Sequence, residues 1–381
     1  MAMDDRAPGS SGFITAIYEV DGPESRAHAT AERICFDQTI EAEKDLLPPS
    51  LQAAILGHLD ELRPISGGRY EATIRFRGDL IGADCSDLLN VLFGTSSLRG
   101  DVKLLSFTMT TDLLSFWRGP RFGIDGLRKV VGSFGRPLLC GVLKPLGRTP
   151  RELAQLAHQF VEGGVDLIKD DQGLVDQHWA PFEERVARCA EAIEVAGRRR
   201  GRPCPYFAHV SGAWDAMRRR AVYAKSVGAT GLLVAPGLTG YDSLRALCAD
   251  DALMLPVACH PAFIGASVGD CRSGVAPTSL YGLFPRLAGV DMTIYPAFGS
   301  DYPMSHQECV SVAATCRQSW GHLRSTMPAV GGRIGTERLA ELNVSLGRDT
   351  IFILGSRLQK EPSGIASTIQ AFHRVLVKSL S

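Results

Sequence analysis

The feature that most restricts the fold of this chain is a series of eight short apolar segments that begins near residue 136. The stretches between them, such as RELAQLAHQFVEGG and ERVARCAEAIEVAG, carry apolar residues at helical spacing and end in glycine, the usual helix stop. Eight β/α units in about 245 residues favour a closed (β/α)8 TIM barrel over an open doubly wound sheet. The predicted strands are LLCGVLKP (138–145), DLIKDD (166–171), YFAHVSG (206–212), GLLVAP (231–236), LPVACHP (255–261), DMTIYPA (291–297), TMPAVGG (326–332) and TIFILGS (350–356).

The first third of the chain lacks this regular alternation. It contains the strand-like segments FITAIYEV, RYEATIRFRG and VKLLSFTM and the helical segment ATAERICF. Such a mixture indicates a compact α+β domain, for which we expect a ferredoxin-like arrangement. We therefore predict an N-terminal α+β domain at residues 1–122 and a barrel that forms the catalytic domain at residues 123–381.

The charge balance limits the class of partner. Basic and acidic side chains number 41 each, so the formal net charge at pH 7 is zero. A chain without a basic excess has no electrostatic attraction for nucleic acid or for an anionic membrane surface. We therefore expect a small-molecule partner.

Three further features predict a cytoplasmic protein. The segment MAMDDRAPGSSG lacks the charged and then apolar pattern of a secretory signal. No uninterrupted apolar segment approaches the roughly 20 residues that a membrane-spanning helix needs. The ten cysteines form no CxxC pair, which is typical of free thiols in a reducing compartment.

Polar side chains gather at the C-terminal ends of the predicted strands, where barrels of this class keep their ligand sites. The second strand ends in Lys169-Asp170-Asp171-Gln172, and strand alternation sends Lys169 and Asp171 to the same side. The first strand ends at Lys144. A lysine buried at such a site is a base, a Schiff-base amine or an acceptor of carbon dioxide. Simple alternatives are an ion pair for Lys169 and a solvent-directed side chain for Lys144.

Glycines follow the seventh and eighth strands, at Gly331-Gly332 and at Gly355-Ser356. They allow backbone N–H groups to approach an anion, and the loops after strands seven and eight are the usual phosphate site of this fold, although tight turns alone would also explain them. Two histidines lie in strands. His260 closes strand five and is a candidate ligand contact or proton carrier, whereas His209 within strand three is more typical of a structural group.

The segments GVLKPLG, GGVDLIKDD, VGG and LGS resemble the barrel of the RuBisCO superfamily, whose members also carry an N-terminal α+β domain. The resemblance implies that Lys169 is carbamylated and binds Mg²⁺ together with Asp171. Gln172 stands where the family has a second metal carboxylate, which leaves the metal site with one negative charge fewer. Lys144 matches the lysine that moves protons during enolisation, and His260 matches an active-site histidine. The implied phosphate-binding residues are Gly331, Gly332, Gly355 and Ser356.

Several positions depart from the carboxylases of that superfamily. Leu146 replaces the second lysine of the KPK motif, Pro261 replaces the arginine after the strand-five histidine, and the strand-six loop AFGSDYPMS lacks its lysine. Thr95, in FGTSSLRGD, stands where the family has an active-site asparagine. The chain is therefore similar to the RuBisCO-like proteins, the noncarboxylating form IV branch. A bisphosphate substrate is not expected, because the second phosphate site has lost its arginine.

The resemblance implies chemistry through an enolate. The first expectation is an isomerase or tautomerase acting on a sugar monophosphate such as 5-methylthioribulose 1-phosphate in methionine salvage. The alternatives are a decarboxylase of a 3-oxo sugar-acid phosphate, of the 3-oxo-isoapionate 4-phosphate type, and a catalytically silent ligand-binding or regulatory protein. The resemblance also implies a homodimer in which the N-terminal domain completes the neighbouring site, with Thr95 as a contributed residue and Asp37 as a candidate for another.

Overall fold

A computed structural model describes residues 12–42, 46–270, 272–359 and 364–378. The chain divides into two compact units. The first comprises the described residues up to Arg118 together with Ile264–Leu280, and the second comprises Gly119–Phe263 and Tyr281 onward. The domain boundary between residues 122 and 123 stays a prediction. Among the described helices, none has the length and apolar character needed to cross a membrane.

The described residues form thirteen strands and fourteen α-helices, besides short 3₁₀ and π segments. The strands are β1 (Phe13–Asp21), β2 (His58–Ile65), β3 (Arg69–Arg77), β4 (Val102–Met109), β5 (Leu138–Leu143), β6 (Leu167–Asp170), β7 (Tyr206–His209), β8 (Gly231–Val234), β9 (Val257–Cys259), β10 (Gly274–Val275), β11 (Met292–Pro296), β12 (Met327–Gly331) and β13 (Ile351–Leu354). The helices are α1 (Glu24–Asp37), α2 (Pro49–Ile55), α3 (Cys85–Phe93), α4 (Thr111–Leu114), α5 (Gly123–Val131), α6 (Pro150–Gly163), α7 (Phe182–Arg200), α8 (Trp214–Ser226), α9 (Pro236–Thr239), α10 (Tyr241–Ala249), α11 (Phe284–Leu287), α12 (His306–Arg317), α13 (Thr336–Leu346) and α14 (Ile365–Lys378).

The first unit is a five-stranded sheet in the order β10-β4-β1-β3-β2. Strands β1 to β4 pair antiparallel, and β10 adds to β4 in parallel. Strand β1 buries alternate side chains at Ile14, Ala16 and Tyr18, as expected for a sheet with one face on a core. The order β4-β1-β3-β2, with α1 and α3 between strands, is the predicted ferredoxin-like α+β arrangement.

The second unit is a closed barrel of eight parallel strands in the order β5-β6-β7-β8-β9-β11-β12-β13. All eight predicted strands are present, so the predicted TIM barrel is confirmed. Local signals delimit its helices. Thr149 and Ser305 form capping boxes at the starts of α6 and α12, and Gly164 and Gly201 end α6 and α7 in the left-handed conformation.

Alternate strand residues fill the barrel interior. Apolar side chains from all eight strands, such as Leu138, Cys140 and Val142 of β5, form one buried cluster with Leu127 and Val131 of α5. The same alternation, continued toward the C-terminal strand ends, brings polar side chains to the mouth of the barrel.

None of the nine described cysteines takes part in a disulfide. Eight of the nine are buried, and Cys248 is half-buried. Burial raises the pKa of several of these thiols, for example that of Cys140 to about 12. Thiols in such surroundings are structural and poorly reactive.

Candidate active site

Strand β6 separates its polar residues onto two sides. Lys169 and Asp171 continue the interior series that begins with Leu167, whereas Asp170 points out of the barrel. The Asp170 carboxylate accepts hydrogen bonds from Tyr206 Oη at 2.8 Å and from the His209 backbone N–H at 3.0 Å. It also pairs with the Arg185 guanidinium at 3.3 Å, and both side chains are fully buried. Asp170 is therefore structural, which leaves Asp171 as the carboxylate of this motif that faces the mouth.

Lys169 is almost fully buried, and its Nζ donates to the Asp170 carbonyl at 2.9 Å. Burial lowers the pKa of the Lys169 ammonium, and the nearby charge of Lys144 lowers it further, while Asp171 acts in the opposite direction. The lowered pKa raises the fraction of neutral amine at a given pH. A neutral amine is the form that reacts with carbon dioxide.

Lys144 follows β5 and joins this group from the neighbouring strand. Its Nζ lies 3.5 Å from Asp171 Oδ2, and the lysine side chain is 33% exposed. A Cβ atom on Gly355, just after β13, would lie 3.2 Å from Lys144 Cε. The ends of β13, β5 and β6 therefore converge on the Lys144 side chain.

His209 is fully buried, and both of its ring nitrogens have partners. Nδ1 lies 3.3 Å from the Leu174 carbonyl, and Nε2 lies 2.7 Å from Ser211 Oγ. The Leu174 carbonyl can only accept, so His209 carries its proton on Nδ1 and its Nε2 accepts from the Ser211 hydroxyl, whose oxygen in turn accepts from the Ala235 N–H. Burial lowers the pKa of His209 to about 3. It is a neutral, structural histidine.

His260 lies just beyond β9, and its Nδ1 accepts from the Ala262 N–H at 3.1 Å. Burial lowers the pKa of His260 well below its ordinary value, and the charges of Lys169 and Lys144 add to this effect. The neutral ring therefore carries its proton on Nε2 and presents a hydrogen-bond donor. His260 follows the C-terminal end of β9, the same end of the barrel strands at which Lys144 and Lys169 lie.

The glycines predicted to bind phosphate lie at the ends of adjacent strands. Gly331 ends β12, Gly355 follows β13, and the two strands pair in parallel. Gly332 has φ of +121°, and a Cβ atom there would lie 2.6 Å from Ser300 Cβ, so the backbone requires glycine. Ser356 is exposed and begins a 3₁₀ turn, Ser356–Gln359. Open backbone at these two strand ends can approach an anion.

Two positions singled out in the first third of the chain lie in the first unit. Thr95 is exposed, and its hydroxyl donates to Glu41 Oε1 at 2.9 Å. Asp37 is buried at the end of α1 and pairs with Arg33 at 2.7 Å. Their contribution to a neighbouring site stays a prediction.

Two of the departures from the carboxylase pattern, Leu146 and Pro261, lie in the barrel unit. Leu146 is 45% exposed, and its two methyl carbons would lie 2.9 Å from a Cβ atom on Gly173. Leu146 therefore packs on the loop that follows Asp171 and Gln172. Pro261 directly follows His260 and carries no charge with which to bind a second phosphate.

The donors at the mouth of the barrel are few but are mostly oxygen ligands, which a hard divalent cation prefers. Among the described residues, no group of three or more His, Cys, Asp and Glu side chains is arranged to hold a metal ion. Asp171 supplies one carboxylate and Gln172 can supply an amide oxygen, while a carbamate on Lys169 would add a second anionic oxygen. Mg²⁺ is commonly held by one or two carboxylates together with water and substrate oxygens. The residues therefore fit Mg²⁺ when Lys169 is carbamylated.

Some residues that surround this site carry no signal in the sequence. Gln359 accepts a hydrogen bond from Arg148 and donates one to the backbone carbonyl of Lys144, although the loop of Gln359 lies far along the chain from that of the other two residues. Arg185 lies on α7, where an arginine ordinarily faces solvent. Ser211 follows His209 by two residues, so strand alternation could have indicated that it joins the same interior.

Comparisons with known proteins agree with this architecture. Residues 123–377 match the family model of the ribulose bisphosphate carboxylase large chain, catalytic domain. The chain is 31% identical to 5-methylthioribulose-1-phosphate isomerase of Rhodospirillum rubrum over 94% of this chain and 95% of that protein. It is 32% identical to 2,3-diketo-5-methylthiopentyl-1-phosphate enolase of Geobacillus thermodenitrificans over 78% of this chain and 73% of that protein.

A solved structure of a Rubisco-like protein also matches this chain over nearly its whole length. The Rubisco-like protein from Rhodopseudomonas palustris superimposes with a TM-score of 0.88 at 31% identity, covering 97% of this chain and 99% of that one. The match therefore includes both units and not the barrel alone. The chain belongs to the ribulose bisphosphate carboxylase large-chain family, and within it to the RuBisCO-like proteins.

Proposed function

We propose that this chain is an enolising isomerase or tautomerase of a sugar monophosphate, with 5-methylthioribulose 1-phosphate of methionine salvage as the leading substrate. The observation that carries the proposal is the position of Lys144, whose Nζ lies 3.5 Å from Asp171 and whose Cε lies against Gly355. A proton-carrying amine thus stands between a candidate metal carboxylate and a candidate phosphate loop. The relative from Rhodospirillum rubrum is named for that isomerisation.

The same proposal includes Mg²⁺ held by carbamylated Lys169, Asp171 and Gln172. When bound, the cation polarises the substrate carbonyl and lowers the energy of the enolate. The lowering of the Lys169 pKa by burial favours the neutral amine from which a carbamate forms.

The chain's own groups have separate tasks in the reaction. The backbone at Gly331, Gly332, Gly355 and Ser356 holds the phosphate and thereby sets the position of the sugar carbons. Lys144 as the free amine takes a proton from the hydroxyl-bearing carbon beside the carbonyl and returns it to the former carbonyl carbon. The hydroxyl proton passes to the former carbonyl oxygen, which completes the conversion of one isomer into the other. His260 presents its Nε2–H as a donor to a substrate oxygen.

We further propose that the chain does not fix carbon dioxide. Pro261 supplies no cation for a second phosphate, and the strand-six loop AFGSDYPMS contains no lysine. A monophosphate therefore fits the charge of this mouth better than a bisphosphate. The working unit would be a homodimer in the cytoplasm, with Thr95 contributed to the site of the neighbouring subunit.

The test is incubation of the protein with Mg²⁺, bicarbonate and 5-methylthioribulose 1-phosphate in deuterium oxide. We expect isomer formation with deuterium at two or more carbons and without release of carbon dioxide. Lys144→Ala should lower the rate by about 10²- to 10⁴-fold, and Lys129→Ala, an exposed lysine of α5, should not. Stoichiometric carbon dioxide release from a 3-oxo sugar-acid phosphate would instead assign a decarboxylase.

A second candidate is the enolase reaction of a 2,3-diketo-5-methylthiopentyl 1-phosphate. It is favoured by the relative from Geobacillus thermodenitrificans, which carries that name and is 32% identical. Both reactions need the same proton transfer beside a polarised carbonyl. Supplying each substrate separately distinguishes them, since turnover of the diketone alone would replace the isomerase assignment.

A further inference from the structure

Gln359 lies at the end of the 3₁₀ turn after β13, and both ends of its side-chain amide are bonded. Its Nε2 donates to the backbone carbonyl of Lys144 at 2.7 Å. Its Oε1 accepts from Arg148 Nη2 at 2.8 Å. A carbonyl can only accept and a guanidinium can only donate, so these two partners determine the orientation of the amide.

These hydrogen bonds join two loops at the mouth of the barrel. Lys144 and Arg148 belong to the loop after β5, whereas Gln359 belongs to the loop that carries Gly355 and Ser356. The parallel pairing of β13 with β5 reaches only as far as Leu354 and Gly141. Gln359 therefore continues the connection between the two strands beyond their last paired residues.

The two loops also meet through the Lys144 side chain. Its Cε lies within 3.2 Å of the position that a Gly355 Cβ atom would occupy, and its Nζ within 3.5 Å. Gly355 thus leaves the space through which Lys144 reaches Asp171. The backbone of Lys144 is held by Gln359 while its side chain passes over the glycine.

We propose that Gln359 is a positioning residue that fixes Lys144 relative to the loop after β13. This inference rests on the proposed function, in which that loop binds the substrate phosphate and Lys144 transfers the proton. With the phosphate as the fixed point of the substrate, the distance between the two loops sets the distance from the lysine amine to the reacting carbon. A displacement of about 1 Å at such a place costs about 10²-fold in rate.

The test uses the nearly isosteric change Gln359→Glu. It keeps the acceptor for Arg148 but places a carboxylate oxygen against the Lys144 carbonyl, which repels it. We expect kcat to fall about 10- to 100-fold while KM changes less than about 3-fold. Arg148→Met is the matched control, because it removes the Arg148 contact and keeps the bond to Lys144; its kcat should stay within about 3-fold of the wild type.

A second measurement, the chemical reactivity of Lys144, does not depend on turnover. Trace labelling of amines with acetic anhydride, followed by mass spectrometry, reports the rate at which Lys144 reacts relative to the exposed Lys129. We expect this ratio to change at least about 3-fold in Gln359→Glu, since the lysine is no longer held beside Asp171. Gln359→Met removes both hydrogen bonds without adding a charge and is expected to give the same result if Gln359→Glu does not fold.

The outcomes separate the two proposals. Wild-type kcat together with a wild-type labelling ratio in both Gln359 variants overturns the positioning role. If the wild type turns over no sugar phosphate but the labelling ratio still changes in the Gln359 variants, the positioning role is supported and the proposed function is rejected. An equal fall of kcat in Arg148→Met would show that loop rigidity alone matters, which also overturns the role of the Lys144 contact.

Discussion

At the level of single residues, burial distinguishes the two lysines at the mouth. Lys169 is almost fully buried and bonded to the Asp170 carbonyl, whereas Lys144 is 33% exposed and lies beside Asp171. Burial lowers the pKa of Lys169, because an ammonium is poorly solvated in the barrel interior. One residue type therefore suits the two tasks that we propose, a modified metal ligand and a mobile proton carrier.

Gln172 offers a direct test of the metal proposal. Gln172→Glu replaces an amide oxygen with a carboxylate oxygen, so we expect the Kd for Mg²⁺ in bicarbonate to fall about 10-fold. Isothermal titration calorimetry measures this affinity without turnover. Gln159→Glu adds the same charge on the exposed face of α6 and should leave it unchanged. Equal affinity in Gln172→Glu and wild type would place residue 172 outside the metal site.

His209 should make the protein less stable in acid. Its pKa of about 3 in the folded chain lies below the ordinary value of 6.5, so the unfolded chain binds the additional proton between these values. The stabilisation is complete above pH 6.5 and is lost as the pH falls toward 3. Between pH 7 and pH 5 the wild type should lose on the order of 2 kcal/mol more than His209→Gln. Urea unfolding at both pH values measures this, and parallel losses would contradict it.

At the level of elements, β6 and α7 together shape the loop after Asp171. Arg185 of α7 pairs with Asp170, and its Nη1 also donates to the Val175 carbonyl at 2.9 Å. One buried guanidinium therefore connects the strand, the helix and the loop. Asp170 faces outward and pairs with Arg185. Its two neighbours in the sequence, Lys169 and Asp171, can therefore face the mouth of the barrel.

Removing Arg185 should be costly. In Arg185→Met the buried Asp170 loses its charged partner, and we expect a loss of about 3 to 5 kcal/mol in the free energy of unfolding. Arg188→Met, on the same helix, breaks an exposed pair with Glu184 and should cost less than about 1 kcal/mol. Urea denaturation of the two variants provides the comparison. Similar losses would mean that burial does not determine the strength of the Asp170 pair.

At the level of the whole molecule, the first unit is built from two separate parts of the chain. Residues 264–280 follow β9 of the barrel, and strand β10 within this segment pairs with β4 of the first sheet. Lys103 of β4 donates to the Asp270 carbonyl at 2.9 Å, and the Ser279 hydroxyl donates to the Leu105 carbonyl at 2.8 Å. The first sheet is therefore completed by residues far along the sequence.

Subunit complementation tests the proposed dimer. If Thr95 serves the neighbouring barrel, Thr95→Ala and Lys169→Ala should each be inactive as homodimers. Unfolding and refolding an equal mixture would yield heterodimers with one intact site and about a quarter of wild-type activity by random association. The isomerase assay and light scattering for the dimer mass report the result. No recovery in a mixture that does form heterodimers would reject a site completed by Thr95 of the neighbouring subunit.

The barrel could be predicted from the sequence because its information is local. Strand alternation has a period of two, so the apolar interior of a strand such as β5 and the residues that continue it are readable from a few adjacent positions. The same rule placed Lys169 and Asp171 on one side and Asp170 on the other. Parallel strands end at one face, which brought Lys144 and Gly355 into the same predicted site.

Tertiary structure alone decided which of these residues touch and what holds them. Gln359 and Lys144 are separated by 215 positions, and their hydrogen bond leaves no local pattern in either segment. The burial of Arg185 and the joining of β10 to the first sheet likewise depend on packing between distant segments. Local sequence determines which face of a strand a residue occupies. The closing of the barrel determines which residues become its neighbours, because closure pairs β13, the last of the eight barrel strands, with β5, the first.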